Sequence, residues 1–205
     1  DMIITQTPFR MSFFGGGTDM ESFFTKHGGA VLSTTFDKYC YVNVRHLPRF
    51  FDYSTELSYS RTERVTNIEH PAIRNAMQML NMQEIRLTYE ADLPARSGLG
   101  TSSSFAVGML SAFYALKGKY ASKKQLADEA IYLERVLCDE AGGWQDQIAA
   151  SYGGFNRINF NTDGTYDVLP VIISPERKKK LNDNLMMFFT GFTRFSSDVQ
   201  KANAA

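Results

Sequence analysis

Hydrophobic and polar positions change period several times along this chain, and the changes mark its elements. "MIITQTPF" alternates and is rich in β-branched residues, which predicts a strand ending near Pro8. "FFGGGTD" breaks the alternation as a glycine loop. "DMESFFTKHGG" takes a helical spacing, with Asp19 placed to cap it and Gly28-Gly29 to end it. "AVLSTTF" and "KYCYVNVRHL" predict two strands with a tight link at Asp37-Lys38. "DYSTELSYSRTERV" is polar and predicts exposed strands or a loop. "HPAIRNAMQMLN" predicts a helix with Pro71 in its first turn, and "EIRLTYEADL" a further strand.

The second half continues the mixture. "PARSGLGTSSSF" runs into the apolar, helical "AVGMLSAFYALKG". "SKKQLADEAIYLERVLCDEAGG" predicts one long helix, opened by a Ser122–Gln125 capping box and stopped by Gly142-Gly143. "WQDQIAASYG" predicts a short helix, and "GFNRINF" and "TYDVLPVII" a hairpin turned by "NTDG". "NLMMFFTGF" predicts a last apolar strand, and "SSDVQKANAA" the start of a helix. Strands and helices interleave, so the fold class is α+β.

Composition narrows the function. The chain has 205 residues with 22 basic and 22 acidic side chains, a balance that argues against a nucleic-acid binder. The lysines at 178–180 are expected to be a solvated loop or helix end. Two cysteines, Cys40 and Cys138, make neither a disulfide framework nor a metal spacing, so a reducing, cytoplasmic setting is expected. There is no signal-peptide pattern and no apolar run of membrane-spanning length, so no membrane partner is expected. His27, His46 and His70 lack ligand spacing and are expected on the surface or in the core.

The glycine-serine stretch carries the strongest chemical signal. A strand, a glycine loop and a helix in succession form a phosphate-binding layout. The helix start offers unpaired N–H groups and partial positive charge, and glycines let backbone approach an anion. The hydroxyls of Thr101, Ser102 and Ser103 suit phosphate oxygens or Mg²⁺. A plain turn with an N-cap is the rival reading, though it needs only one serine. No lysine follows Gly100, which excludes a Walker A loop, and Ser103 stands where a Rossmann fingerprint needs its third glycine.

"PARSGLGTSSSFA" resembles the second motif of the GHMP kinases, P-x-x-x-G-L-G-S-S-A-A. "TPFRMSFFGGGTD" resembles the superfamily's galactokinase-type signature, and "GGWQDQ" its segment bearing the catalytic aspartate. The three stand in the family's order from Pro8 to Gln147. The combination looks most like the heptose 7-phosphate kinases, and bacterial fucokinases share similar motifs. In galactokinases Glu-His stands where this chain has Gly16-Gly17. Losing that charge and freeing backbone N–H groups suits an already phosphorylated sugar. A wider pocket for a bulkier neutral sugar is the rival.

The resemblance implies an ATP- and Mg²⁺-dependent sugar kinase. The expected reaction is transfer of the γ-phosphoryl group to the anomeric hydroxyl of a heptose 7-phosphate. The alternatives are a fucokinase-like kinase of a neutral sugar, or a non-catalytic sugar sensor on the same fold. Asp146 is implied as the general base and Arg10 as its electrostatic partner; a surface aspartate and a surface salt bridge are the bland readings. Gly98, Leu99, Gly100, Thr101, Ser102 and Ser103 are implied to hold the ATP phosphates. Gly15, Gly16, Gly17, Thr18 and Asp19 are implied to face the sugar, and Thr190, Gly191 and Arg194 are weaker candidates.

Ser102 and Glu134 are the implied Mg²⁺ ligands. Glu134 has an argument of its own. At 100° per residue it falls inside the apolar arc of Leu126, Ala130, Leu133 and Leu137, where a carboxylate needs a partner or a cation. Glu129 flanks the same arc and is its rival. Trp144 is expected to pack beside the base.

The implied fold is the GHMP α+β N-terminal domain, a two-layer fold like that of a ribosomal protein, over residues 1–180. Residues 181–205 are expected to begin a ferredoxin-like second domain that is truncated here, because the family's third glycine-rich motif does not occur.

Overall fold

One strand organises the molecule. In the computed structural model, which describes residues 1–48, 53–59, 62–65, 67–191 and 201, β2 runs unbroken from Gly29 to His46. The two strands expected here are therefore one. β1 (Met2–Phe14) pairs antiparallel with β2 on both sides of this point, and Asp37 and Lys38 lie in the register shift between the Pro8–Tyr39 and Arg10–Thr35 pairs, a bulge rather than a turn. β1 itself passes through Pro8 instead of ending there, and the ladder absorbs the interruption as register shifts at Pro8/Arg10 and Ser12/Phe14. A proline has no N–H to give a ladder, and a bulge accommodates it.

The other edge of β2 is shared. β6 (Phe155–Phe160) pairs with Gly29–Thr34 and β5 (Ile85–Ala91) with Cys40–His46, both antiparallel. β7 (Tyr166–Pro170) extends β6 as the expected hairpin. β3 (Thr55–Ser58) joins β5 in parallel, and β4 (Thr62–Val65) pairs with β3.

The helices form the second layer. Alternate residues Cys40, Val42 and Val44 of β2 are buried, as are Ile85 and Leu87 of β5. Against them pack α2 (Pro71–Met79) through Ile73 and Met77, and α3 (Thr101–Leu116) through Phe105, Met109, Leu110 and Phe113. A smaller cluster joins Phe24 of α1 (Glu21–His27), Ile148 of α5 (Gln145–Tyr152), Val31, Ile158 and Phe160. Trp144 packs edge-on against Phe24, the packing role expected of it. His70 caps α2, its ring accepting from the Ile73 N–H.

One helical and one strand expectation need correction. The helix opened by Ser122, whose hydroxyl accepts from Gln125 N–H, is α4 (Lys123–Tyr132). It passes into a single π-helical segment at Leu133–Leu137 and ends at Cys138, before the glycines. The capping box is half made, because the Gln125 side chain turns to Tyr114 and Glu129. The apolar stretch after residue 183 forms no strand among the described residues. α6 (Pro175–Asp183), which carries the exposed lysines, precedes it, and Leu185–Phe189 follow as exposed coil. The helix expected over 196–205 and Arg194 lie outside the described residues, apart from residue 201.

Candidate active site

Arg10 and Asp146 meet where the bulged part of β1 faces the start of α5. Arg10 Nε donates to Asp146 Oδ1 at 2.7 Å, and both side chains are largely buried. The pair is thus an internal feature rather than the surface salt bridge of the bland reading. Burial works against the guanidinium charge, but Asp146 beside it more than compensates, and the Arg10 pKa is raised. Arg10 also staples the glycine-serine loop. Its Nη1 donates to Gly98 O at 2.9 Å and its backbone N–H to Leu99 O at 3.1 Å.

Gly100 shows why the loop is built from glycine. It is left-handed, with φ of 73°. A side chain there would lie 3.2 Å from Arg10 Cγ and 3.5 Å from Asp146 Cγ. The left-handed backbone demands glycine, and the 3.2 Å approach to Arg10 Cγ would leave a Cβ little room. Directly after it α3 begins at Thr101 with no side-chain cap, so its first-turn N–H groups lack side-chain partners next to the point where Gly100 adjoins the Arg10–Asp146 pair. Ser104 anchors this end by donating to Pro8 O at 2.8 Å.

Glu134 lies beneath the same helix start. It is only 3% exposed, as its place in the apolar arc predicted. Ser102 Oγ donates to Oε2 at 3.0 Å, and Ser103 Oγ and Gln147 Nε2 donate to Oε1 at 2.7 and 2.9 Å. Burial pushes its pKa up; Arg135 and the two serines oppose this, and Asp146 adds to it. The rival Glu129 instead accepts from the Tyr114 hydroxyl on another flank. The π-helical segment contains Glu134, and π-turns are frequent at functional sites because they re-aim one side chain.

Asp19 is 3% exposed and caps a helix, but not its own. α1 starts at Met20 with no side-chain cap. Asp19 Oδ2 instead accepts from Gln145 N–H at 3.0 Å, pinning the first residue of α5, while Oδ1 accepts from Gly17 N–H at 3.1 Å. The chain returns past Trp144, whose N–H donates to Asp19 O at 3.2 Å, and this long-range contact outcompetes the local cap. Burial pushes the Asp19 carboxyl up, the Gln145 N–H opposes, and Asp146 adds to the rise. A Cβ on Gly143 would stand 1.9 Å from Asp19 Oδ2, so this contact requires glycine.

The five residues expected to face the sugar divide. Gly15 is left-handed, and a Cβ would stand 1.9 Å from Ala30 O, so its glycine is structural. Thr18 turns its hydroxyl to Gly15 O and Ala30 O, tying the loop to β2. The Gly17 N–H, expected to be free for an anion, is held by Asp19. Gly16 faces the Gln145 amide, and the Asp19 carboxylate interacts electrostatically with Arg10 and Asp146. Thr190 and Gly191 are exposed beyond α6.

Two residues were missed in the sequence, Gln147 on Glu134 and Gly143 against Asp19. A signal for Gln147 existed: it adjoins the apolar run "IAA", where a polar amide needs a partner just as Glu134 did.

The two-layer α+β architecture is the fold of GHMP kinase N-terminal domains, and residues 66–154 match the family model for the GHMP kinases N terminal domain. Across 97% of its length the chain is similar, at 29% identity, to the D-glycero-alpha-D-manno-heptose 7-phosphate kinase of Campylobacter jejuni. It superposes with a TM-score of 0.75 on a D-glycero-D-manno-heptose 1-phosphate kinase from Bacteroides thetaiotaomicron, at 25% identity over 85% of the chain. It is also 31% identical over 53% of its length to the bifunctional fucokinase/GDP-fucose pyrophosphorylase of Arabidopsis thaliana, covering 10% of that protein. The chain spans 62% of the Campylobacter relative's length and 61% of the Bacteroides one.

Proposed function

We propose that this chain is the N-terminal part of an ATP-dependent sugar kinase that phosphorylates the anomeric hydroxyl of a heptose 7-phosphate. The observation that carries the reading is the Arg10–Asp146 pair at 2.7 Å, adjoining Gly100 at the uncapped start of α3. The names of the Campylobacter and Bacteroides relatives support the acceptor. On this reading residues 1–180 form the domain and 181–205 begin a second one. The sheet ends at Pro170, and α6, within which residue 180 lies, buries no residue, which supports a boundary in this region.

The chemistry follows from positions. The first-turn N–H groups of α3 and the loop backbone at Gly98–Thr101 bind phosphate oxygens, drawing on the helix's partial positive charge. Asp146 accepts the proton of the acceptor hydroxyl, a role worth about 10²–10⁴-fold in rate. Arg10 holds the Asp146 carboxylate in place through the 2.7 Å hydrogen bond and sits beside the charge that builds on the transferring group.

Ser102 and Glu134 fit Mg²⁺: two hard oxygen donors 3.0 Å apart, at a helix start where phosphates would complete the shell. No cluster of three or more His, Cys, Asp or Glu occurs among the described residues, as suits a cation held largely by nucleotide and water. When bound, Mg²⁺ would neutralise phosphate charge. It would also oppose the burial that raises the Glu134 pKa, by favouring the ionised carboxylate.

The test is phosphoryl transfer from ATP by the full-length protein to heptose 7-phosphate, mannose, fucose and galactose. Turnover of the phosphorylated heptose alone is expected, with kcat falling about 10²–10⁴-fold in Asp146→Asn. Turnover of a neutral sugar would move the reading to a fucokinase-like enzyme. Sugar binding without transfer would replace it with a sensor.

A further inference from the structure

We propose that Gln145 determines acceptor specificity: its side-chain amide hydrogen-bonds a neutral hydroxyl of the sugar in the space over Gly16. The inference rests on the sugar-kinase reading and adds a substrate contact to it.

The first observation is Gln145 itself. It is 9% exposed, and its Oε1 is buried with no hydrogen-bond partner. Nothing in the fold uses the amide. The structural task at this position, binding Asp19, is done by the backbone N–H, which any residue but proline would supply. A buried carbonyl without a donor is unfavourable, and methionine would fill the same volume without that penalty. The amide is therefore unexplained by stability.

The second observation is Gly16. Gly15 and Gly17 are left-handed, at φ of 95° and 92°, but Gly16 is not. A Cβ built on it would find one neighbour within 4 Å, Gln145 Nε2 at 3.9 Å, which is ordinary contact. The fold would accept alanine at 16. What glycine provides there is room, and that room opens onto the Gln145 amide, one residue from Asp146.

The surroundings select the ligand. A Cβ on Gly16 would meet only the Gln145 amide within 4 Å, so no charged group stands at that point to hold a phosphate. A hydroxyl needs none. It both donates and accepts, so it suits either end of an amide. The acceptor's phosphate, if it has one, binds elsewhere.

The experiment uses the full-length protein as wild type, Gln145→Met and Gly16→Ala. It measures KM and kcat for ATP, for D-glycero-D-manno-heptose 7-phosphate and for the same heptose without phosphate, with Tm for each protein. Losing one hydrogen bond predicts a rise of about tenfold in KM for both sugars in Gln145→Met. Kcat and KM for ATP should change little, and Tm should be unchanged or higher. Gly16→Ala should show the same KM pattern by filling the space. Unchanged sugar KM in Gln145→Met, a loss confined to the phosphorylated sugar, or a loss that follows Tm would each overturn the inference. If the wild type transfers nothing, the kinase reading fails by itself. Calorimetric binding of heptose 7-phosphate to wild type and Gln145→Met then decides the inference, and absence of binding to the wild type overturns it as well.

Discussion

Glu134 keeps its carboxylate among three neutral donors, Ser102, Ser103 and Gln147, in a nearly water-free position. Its pKa is raised in the folded protein. The folded state therefore holds a proton to higher pH than the unfolded chain, and this group's stability contribution falls as pH rises from the unfolded value towards the folded one. Glu134→Gln removes that titration while preserving shape. The variant's Tm advantage over the parent should widen from pH 4 to pH 8 in melts without nucleotide. Adding ATP and Mg²⁺ should reverse the order by stabilising the parent more. A constant Tm difference across pH would show that burial is not what moves the group. This residue was legible in the sequence because helical period alone put a carboxylate among leucines. Asp19 was legible as a cap but not as the cap of which helix, since local pattern carries no information about a partner 126 residues away.

At the scale of elements, α5 is aimed by a contact outside itself. Its first N–H is held by Asp19, and Gly143 passes close enough that a single methyl group would strike that carboxylate. Gly143→Ala must push Asp19 off its two N–H donors or shift the start of α5. The expected cost is about 1–3 kcal/mol, read from urea unfolding. Transfer activity should fall further than stability explains, because Asp146 sits in the first turn of that helix. A neutral result would mean that α5 is placed by its apolar face alone. The helices α2, α3 and α5 and the β6–β7 hairpin were readable from period and turn residues. The π-segment was not, since its residues keep an apolar spacing that serves an α-helix equally well. The exposed coil at Leu185–Phe189 misled for the opposite reason: apolar composition suggests a strand, but a strand needs an edge to pair with.

For the whole molecule, α+β and the two-layer architecture were visible, and the sheet order was not. Strand pairing depends on register between distant segments, and nothing local in "KYCYVNVRHL" says that it continues "AVLSTTF". The single long β2 has its own consequence for how the protein comes into being. Its partners are drawn from residues 2–14, 85–91 and 155–160, so its far edge stays half open until Phe160 has been made. During synthesis the first 150 residues leave Gly29–Thr34 with an unpaired side, a template for mispairing with another nascent chain. Ribosome-bound chains arrested before Phe155 should be cut rapidly by protease and those arrested well past Pro170 should resist it. Refolding from urea should be slow, on the scale of milliseconds to seconds, as non-local pairing requires. Equal resistance in both nascent chains would mean that the sheet closes without β6.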